Sequence, residues 1–484
     1  MSEQRRDDNA MKKFLKVSGI VILLLVGLWV VTGFGLMAYF HLARPESPVV
    51  DDGDLRIMEP AIADGENAYV AFLSTTNALA CPPEDKSVLT AYGMYCAGKK
   101  EPFKLWRKDG TPETCRAEVD RILAERAEGL DGLHRAFQLP RYRMTPDPDG
   151  LFFPPISTMT WAHSLLRASA SRARQRGDLP AAFKAECDGL RFGILCRDNA
   201  SSVVECLVGA SLSDNACRRM VQFANDESIS DDLLTSVAEF LKADFDEKAL
   251  FEQTIKREYV NFGCRVLDQG SDRISLDELW QLLQDQVSAF IPSELRKSSP
   301  PAPWFLKKPC FVRFSYNKEM TKQDMVNVFR AGLTGRNPEE VVPTPKSPLQ
   351  PNWAGRILAR IVTPAFDDLH RKLKESLFAL RAARTAVAVR RHCRAHAGVA
   401  PADLAALVPT YLNEVPRDPF APSRALGYDA AGNGLVWTVG EDGTFNPQEG
   451  KVESYWKLNR ALSKYAMRLD GKPHETRKTG NSEQ

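Results

Sequence analysis

The chain has 484 residues, with 64 Lys+Arg against 62 Asp+Glu and a net charge of +2. That balance supplies no basic stripe, so nucleic acid is not an expected partner. Ten cysteines are present and no two are spaced CxxC, which leaves no zinc-ribbon or thioredoxin-type signal.

Val17 to Phe40 carries no charge. As a helix it would span roughly 36 Å, enough for a hydrocarbon core of about 30 Å. It is too long for the apolar region of a cleaved signal peptide, about 7–15 residues. Arg5, Arg6, Lys12, Lys13 and Lys16 precede it, and Arg44 follows closely. The positive-inside rule then predicts a single-pass signal anchor in a bacterial inner membrane, with lipid bilayer around residues 17–40. Residues 1–16 would be cytoplasmic and the bulk periplasmic. In that oxidising compartment disulfides are expected, with Cys81, Cys96 and Cys115 the best placed. Cys187, Cys196, Cys206 and Cys217 fall in helical sequence and read as small buried apolar groups.

Residues 41–56 form an acidic, Pro-containing linker. From 57 to 360 a mostly helical exterior domain is expected. Glu118–Glu128 has helical composition. Trp161, Leu165, Ala168 and Ala173 mark a buried face, and Gly177-Asp178 stops that helix and caps the next. Ala181–Leu195 carries Phe183, Cys187, Leu190 and Ile194 at helical spacing. Ser201–Asn225 follows with Val204, Leu207, Leu212 and Met220. Leu233–Tyr259 reads as helical again. Ser275–Ile291 opens on a capping box, Ser275 with Glu278. Thr321–Leu333 opens on Thr321 and Asp324, and Arg336–Trp353 is a Pro-rich loop.

From 361 to 468 a small α+β module is expected. Thr363, Pro364, Asp367 and Asp368 suit a helix start. Phe366, Leu369, Leu373, Leu377 and Leu380 continue as an amphipathic stripe to near Gly398. GLVWTV alternates like a strand, and Trp437 and Val439 should face the long helix because residues two apart share a strand face. Residues 469–484 read as a disordered tail. The expected fold is therefore mainly α, with an N-terminal transmembrane helix, a multi-helix exterior domain and a small C-terminal α+β module.

The C-terminal motifs come in a recognisable order: Leu407-Val408-Pro409-Thr410-Tyr411-Leu412, then Val415-Pro416-Arg417-Asp418-Pro419-Phe420, then Trp437 to Gly443. This block resembles the globular part of type II secretion major pseudopilins. The resemblance implies a long helix packed on a small antiparallel sheet, and a C-terminal loop of the kind that holds calcium in that family. Glu441, Asp442 and Asn446 supply oxygens here, too few for calcium's 6–8 ligands, so no metal or other cofactor is expected. Residues 41–362 separate the block from the apolar segment, which itself lacks the family's Glu. Pilus assembly is therefore not expected. More broadly, DDGDLR at Asp51–Arg56, ENAY at Glu66–Tyr69, and LVGAS at Leu207–Ser211 resemble single-span bacterial envelope proteins with no assigned activity.

Three short patterns match penicillin-binding-protein signatures: Ser213-Asp214-Asn215, Ser315 with Lys318, and Lys478-Thr479-Gly480. Their order is wrong for that family, and Ser315 follows strand-like sequence rather than opening a helix. His392 and His396 share a helix face, but Arg390, Arg391 and Arg394 would repel a cation. His163 and Ser164 are helix neighbours that point apart. No catalytic, cofactor or metal residue is assigned. The function expected is a non-enzymatic protein-interaction or structural role in the cell envelope, with protein partners there. The alternative is an envelope hydrolase whose site the sequence does not reveal.

Overall fold

The computed structural model describes residues 46–57, 59–80, 82–96, 110–144, 155–269, 316–345, 350–361, 365–430, 434–447 and 464–469. Gly35, Leu36, Ala38, Tyr39, Leu42, Ala43, Pro102 and Arg107 are described besides. In chain order the helices are α1 (Ala68–Ser74), α2 (Pro83–Cys96), α3 (Pro112–Glu125), α4 (Ala127–Ala136), α5 (Ile156–Gln175), α6 (Leu179–Asp198) and α7 (Val203–Ala224). There follow α8 (Asp231–Phe240), α9 (Glu247–Glu258), α10 (Arg265–Gln269), α11 (Lys318–Thr334), α12 (Pro338–Val341), α13 (Trp353–Ile361) and α14 (Ala365–Ala395). Among the described residues three short strands occur, β1 (Gly427–Asp429), β2 (Leu435–Trp437) and β3 (Ala466–Arg468).

The chain divides into two units: Met1–Leu55 with Gly263–Pro364, and Arg56–Phe262 with Ala365–Gln484. In the smaller unit, α11 buries Met325, Val326, Val328 and Phe329. The acidic segment before Arg56 binds this helix. Asp52 pairs with Lys322 at 3.3 Å and Asp54 with Arg330 at 2.6 Å. Asn317, not Thr321, caps α11, accepting from the Met320 amide at 2.9 Å. Thr321 sits one turn in, and its hydroxyl donates to the Asn317 carbonyl. The expected helix Ser275–Ile291 lies outside the described residues.

The larger unit is built on the α6–α7 pair. Gly193 and Gly209 let the two backbones touch. A Cβ on Gly193 would stand 2.5 Å from the Ser213 amide nitrogen, and one on Gly209 would stand 2.3 Å from that of Arg197. Only glycine fits such an approach. One core cluster joins α1–α6 around Phe72, Phe137, Trp161 and Phe192. The other joins α6, α7, α8, α14 and the sheet around Met220, Phe223, Phe378 and Val436. The α5–α6 connection follows its chemistry. Gly177 adopts φ +77°, and the Asp178 carboxylate accepts from the Ala181 amide at 3.1 Å. The helical stretch Leu233–Tyr259 is divided into α8 and α9. Asp246 caps α9 through the Lys248 and Ala249 amides, and Asp244 before it binds Arg381 and Arg384 of α14.

The stripe Leu369, Leu373, Leu377 and Leu380 is buried, and α14, which carries it, packs more extensively on α7 than on the sheet. The sheet is antiparallel in the order β1-β2-β3, with Gly427 opposite Trp437 and Val436 opposite Met467. Val436 and Met467 join the α14 core, while Trp437 covers Gly427. The expected orientation of β2 is reversed: a one-residue change of parity exchanges its faces. Asp418 ties the VPRDPF turn to the end of β2, accepting from the Phe420 and Val439 amides, each at 2.8 Å, and from the Thr438 hydroxyl.

Two further expectations are corrected. Among the described residues no helix is long and apolar enough to cross a membrane. This contradicts the transmembrane part of the expected fold class, the single-pass anchor and the inner-membrane location. α14 is long but carries Asp367, Asp368, Arg371, Lys372 and Lys374 in its first turns, so it is an amphipathic core helix. The stretch 17–40 lies almost wholly outside the described residues. The expected disulfide is contradicted as well, since the eight described cysteines are free thiols. Cys115 lies in the core with its thiol toward the Val88 carbonyl, whereas Cys96 is exposed. Cys81 is outside the described residues.

Candidate functional site

The larger unit carries a groove of about 580 Å³ between α4, α6 and α8. It follows from helix phase. On α6, Phe183, Lys184, Cys187, Asp188 and Arg191 recur at spacings of one, three and four and so share one face. α4 offers His134, and α8 offers Thr235, Ser236, Glu239 and Phe240. Phe183 stacks on Phe223 at 5.9 Å and makes part of an apolar floor.

The polar groups of the wall bind each other. His134 Nδ1 lies 2.8 Å from Asp188 Oδ2, and Gln138 Nε2 donates to Asp188 Oδ1 at 3.4 Å. Arg191 donates to Gln138 Oε1 at 2.7 Å and lies over the Phe240 ring at 5.1 Å. Burial pushes the Asp188 carboxyl up, against the opposing pull of His134. The Cys187 thiol is pushed up to about 12 by burial, which keeps it protonated and a poor nucleophile. The Ser236 hydroxyl donates to the Asp232 carbonyl within its own helix. The site therefore has an oriented imidazole but no activated nucleophile among these side chains.

A second ionisable group of residues stands at the start of α7. Glu205 accepts from the Tyr142 hydroxyl at 2.9 Å and the Ser201 amide at 2.7 Å, and Glu258 accepts from the Val203 amide at 2.8 Å. Burial raises both carboxyls to about 7. Ser202 with Glu205 is a Ser-x-x-Glu pattern ahead of an apolar run, a signal that could have marked this helix start.

The patterns weighed in the sequence are dispersed. Ser213 and Asn215 bond within α7, and Asp214 pairs with Lys372 of α14. Lys318 pairs with Asp268 at 3.1 Å, while Ser315 and residues 478–480 lie outside the described residues. His392 and His396 stack at 4.0 Å, each Nδ1 facing a backbone carbonyl. Asp442 accepts from the Thr444 amide in the loop compared with the calcium-binding one. Among the described residues no group of three His, Cys, Asp or Glu side chains is placed to hold a metal. The groove residues were not legible as a set, because His134 and Asp188 are brought together across helices by packing.

Searches against protein-family models, curated proteins and solved structures gave no match to this chain.

Proposed function

We propose that the protein is a non-enzymatic binding module, and that the α4/α6/α8 groove takes an apolar side chain of a protein partner. The observation that carries this is the paired state of the polar groups where α4 meets α6. Asp188, His134, Gln138 and Arg191 spend their hydrogen bonds on one another. Beside them the groove offers an open surface with the rings of Phe183 and Phe240, bordered by Lys184, Thr235 and Glu239. Aromatic residues in a desolvated patch are the usual anchors of protein interfaces. A photo-crosslinking residue at Glu239 should join one defined partner at near-equal stoichiometry. Phe240→Asp should abolish that product while the fold is kept. Equal capture by both proteins would overturn the proposal.

The His134–Asp188 pair favours a second reading, a hydrolase in which His134 acts as general base on water. An imidazole held by a buried carboxylate is suited to that role. Turnover of an ester, amide or phosphoester panel that disappears in His134→Ala would establish it in place of the binding role.

A further inference from the structure

Two cations of α6 bracket the apolar floor of the groove. Lys184 and Arg191 are seven residues apart, so they share a helix face about 10 Å apart along the axis. Phe183 precedes the first, and the Phe240 ring lies against the guanidinium of the second at 5.1 Å. Neither cation has an ion pair among the described residues. Lys184 is exposed and makes no hydrogen bond there. Arg191 spends Nη1 on Gln138, a neutral acceptor, so its charge stays uncompensated by that bond.

The acids that line the groove are committed elsewhere. Asp188 sits between the two cations in sequence, but it is 3% exposed, and its oxygens meet His134 and Gln138. Burial raises its carboxyl against the pull of His134, Arg191 and Lys184, and so works against the one negative charge of this wall. Glu239 on α8 reaches Lys242 of its own helix at 3.4 Å. The lining therefore presents an apolar floor with a positive excess on the α6 side.

Resting on the groove's role as a docking site, we infer that its occupant is an acidic-apolar protein segment: a large apolar side chain with an Asp or Glu close to it in sequence. The apolar group lies on the rings of Phe183 and Phe240, and the carboxylate meets Lys184 or Arg191. A carboxylate one to four residues from the anchor reaches one of the two cations, in an extended segment or along a helix. Charges placed this way act chiefly on the rate of encounter and on the choice of partner, while the apolar anchor supplies most of the affinity.

The probe is a phage-displayed library of random dodecapeptides, panned on the full chain with Phe240→Asp as counter-selection. Enriched peptides should carry Phe, Trp, Leu or Met with Asp or Glu within four positions. The tightest of them, synthesised, should bind Lys184→Glu about fivefold or more weakly than wild type, and should bind wild type less well as salt is raised. Lys184 is exposed, so this variant keeps the fold. With its acids replaced by Lys, the same peptide should prefer Lys184→Glu over wild type, a reversal that a merely structural role of Lys184 would not produce. Enrichment of apolar peptides with neutral or basic flanks, or equal affinity for Lys184→Glu, would overturn the acidic partner and leave the groove as a docking site. No enrichment over Phe240→Asp would remove the docking role itself, and the inference with it.

Discussion

The two faces of α6 handle polar groups differently. Toward α4 and α8, Asp188 is held by His134 and Gln138, and Arg191 by Gln138 and the Phe240 ring. Toward α5 and α7, Glu186 holds Arg219, yet Arg219 Nη2 and His163 Nδ1 have no partner among the described residues. The first face is open and its polar groups were free to find each other. The second is pinned by backbone contact at Gly193 and Gly209, which sets the helix spacing before the side chains can choose theirs. Pairing on one face and unpaired nitrogens on the other thus follow from how tightly each face is packed.

The pinned face should be the more fragile. Gly209→Val forces a side chain into the Arg197 backbone, so we expect a loss of about 3 kcal/mol or more, read as a large fall in the urea midpoint. An unchanged midpoint would mean that the α6–α7 contact is not what fixes this face.

The start of α7 offers a pH test of the same buried side. Glu205 and Glu258 rise from an ordinary value of 4.5 to about 7 in the fold. The folded state therefore binds their protons more tightly than the unfolded chain. Their contribution is fully present below about pH 4.5 and is lost as pH rises to about 7. For each the change is on the order of 3 kcal/mol. Denaturant unfolding at pH 5.5 and pH 8 should show the greater stability at the lower pH. Glu258→Gln should flatten this dependence; a slope of opposite sign would reject the assignment. Asp120 and Asp226, held down by hydrogen bonds to arginines and Ser228, act in the other direction at more acid pH.

The groove face should lose less. Asp188→Ala leaves His134 and Gln138 without their carboxylate, for an expected cost of about 1–3 kcal/mol by equilibrium unfolding. A loss as large as that of Gly209→Val would erase the contrast between faces. Phe240→Ala should be mildest for the fold, about 1 kcal/mol or less if its ring stays largely at the groove surface, while abolishing partner capture. Calorimetry of the variant separates the two effects.

Much of the helical part was legible. Gly177 and Asp178 punctuate as their chemistry demands, and the α14 stripe is buried as its spacing predicts. These signals are local: a cap needs a neighbouring amide, and a stripe needs only the 3.6-residue period. Parity in a three-residue strand was not legible, because β2 places Val436 rather than Trp437 in the cluster shared with α14, and alternation alone leaves the choice of face to tertiary contacts. The break between α8 and α9 was hidden for a similar reason, since Asp244 is held by Arg381 and Arg384 of a helix far along the chain.

The sequence alone determined where helices begin and which side of each is apolar, since propensity, capping and periodicity act within one turn or two of the chain. Only the tertiary structure decided that His134 meets Asp188, that Val436 faces α14, and that Arg219 and His163 lie against Gly189. Those outcomes depend on the distance and rotation between helices, which are set by close packing at residues such as Gly193 and Gly209 and by which long side chains reach across.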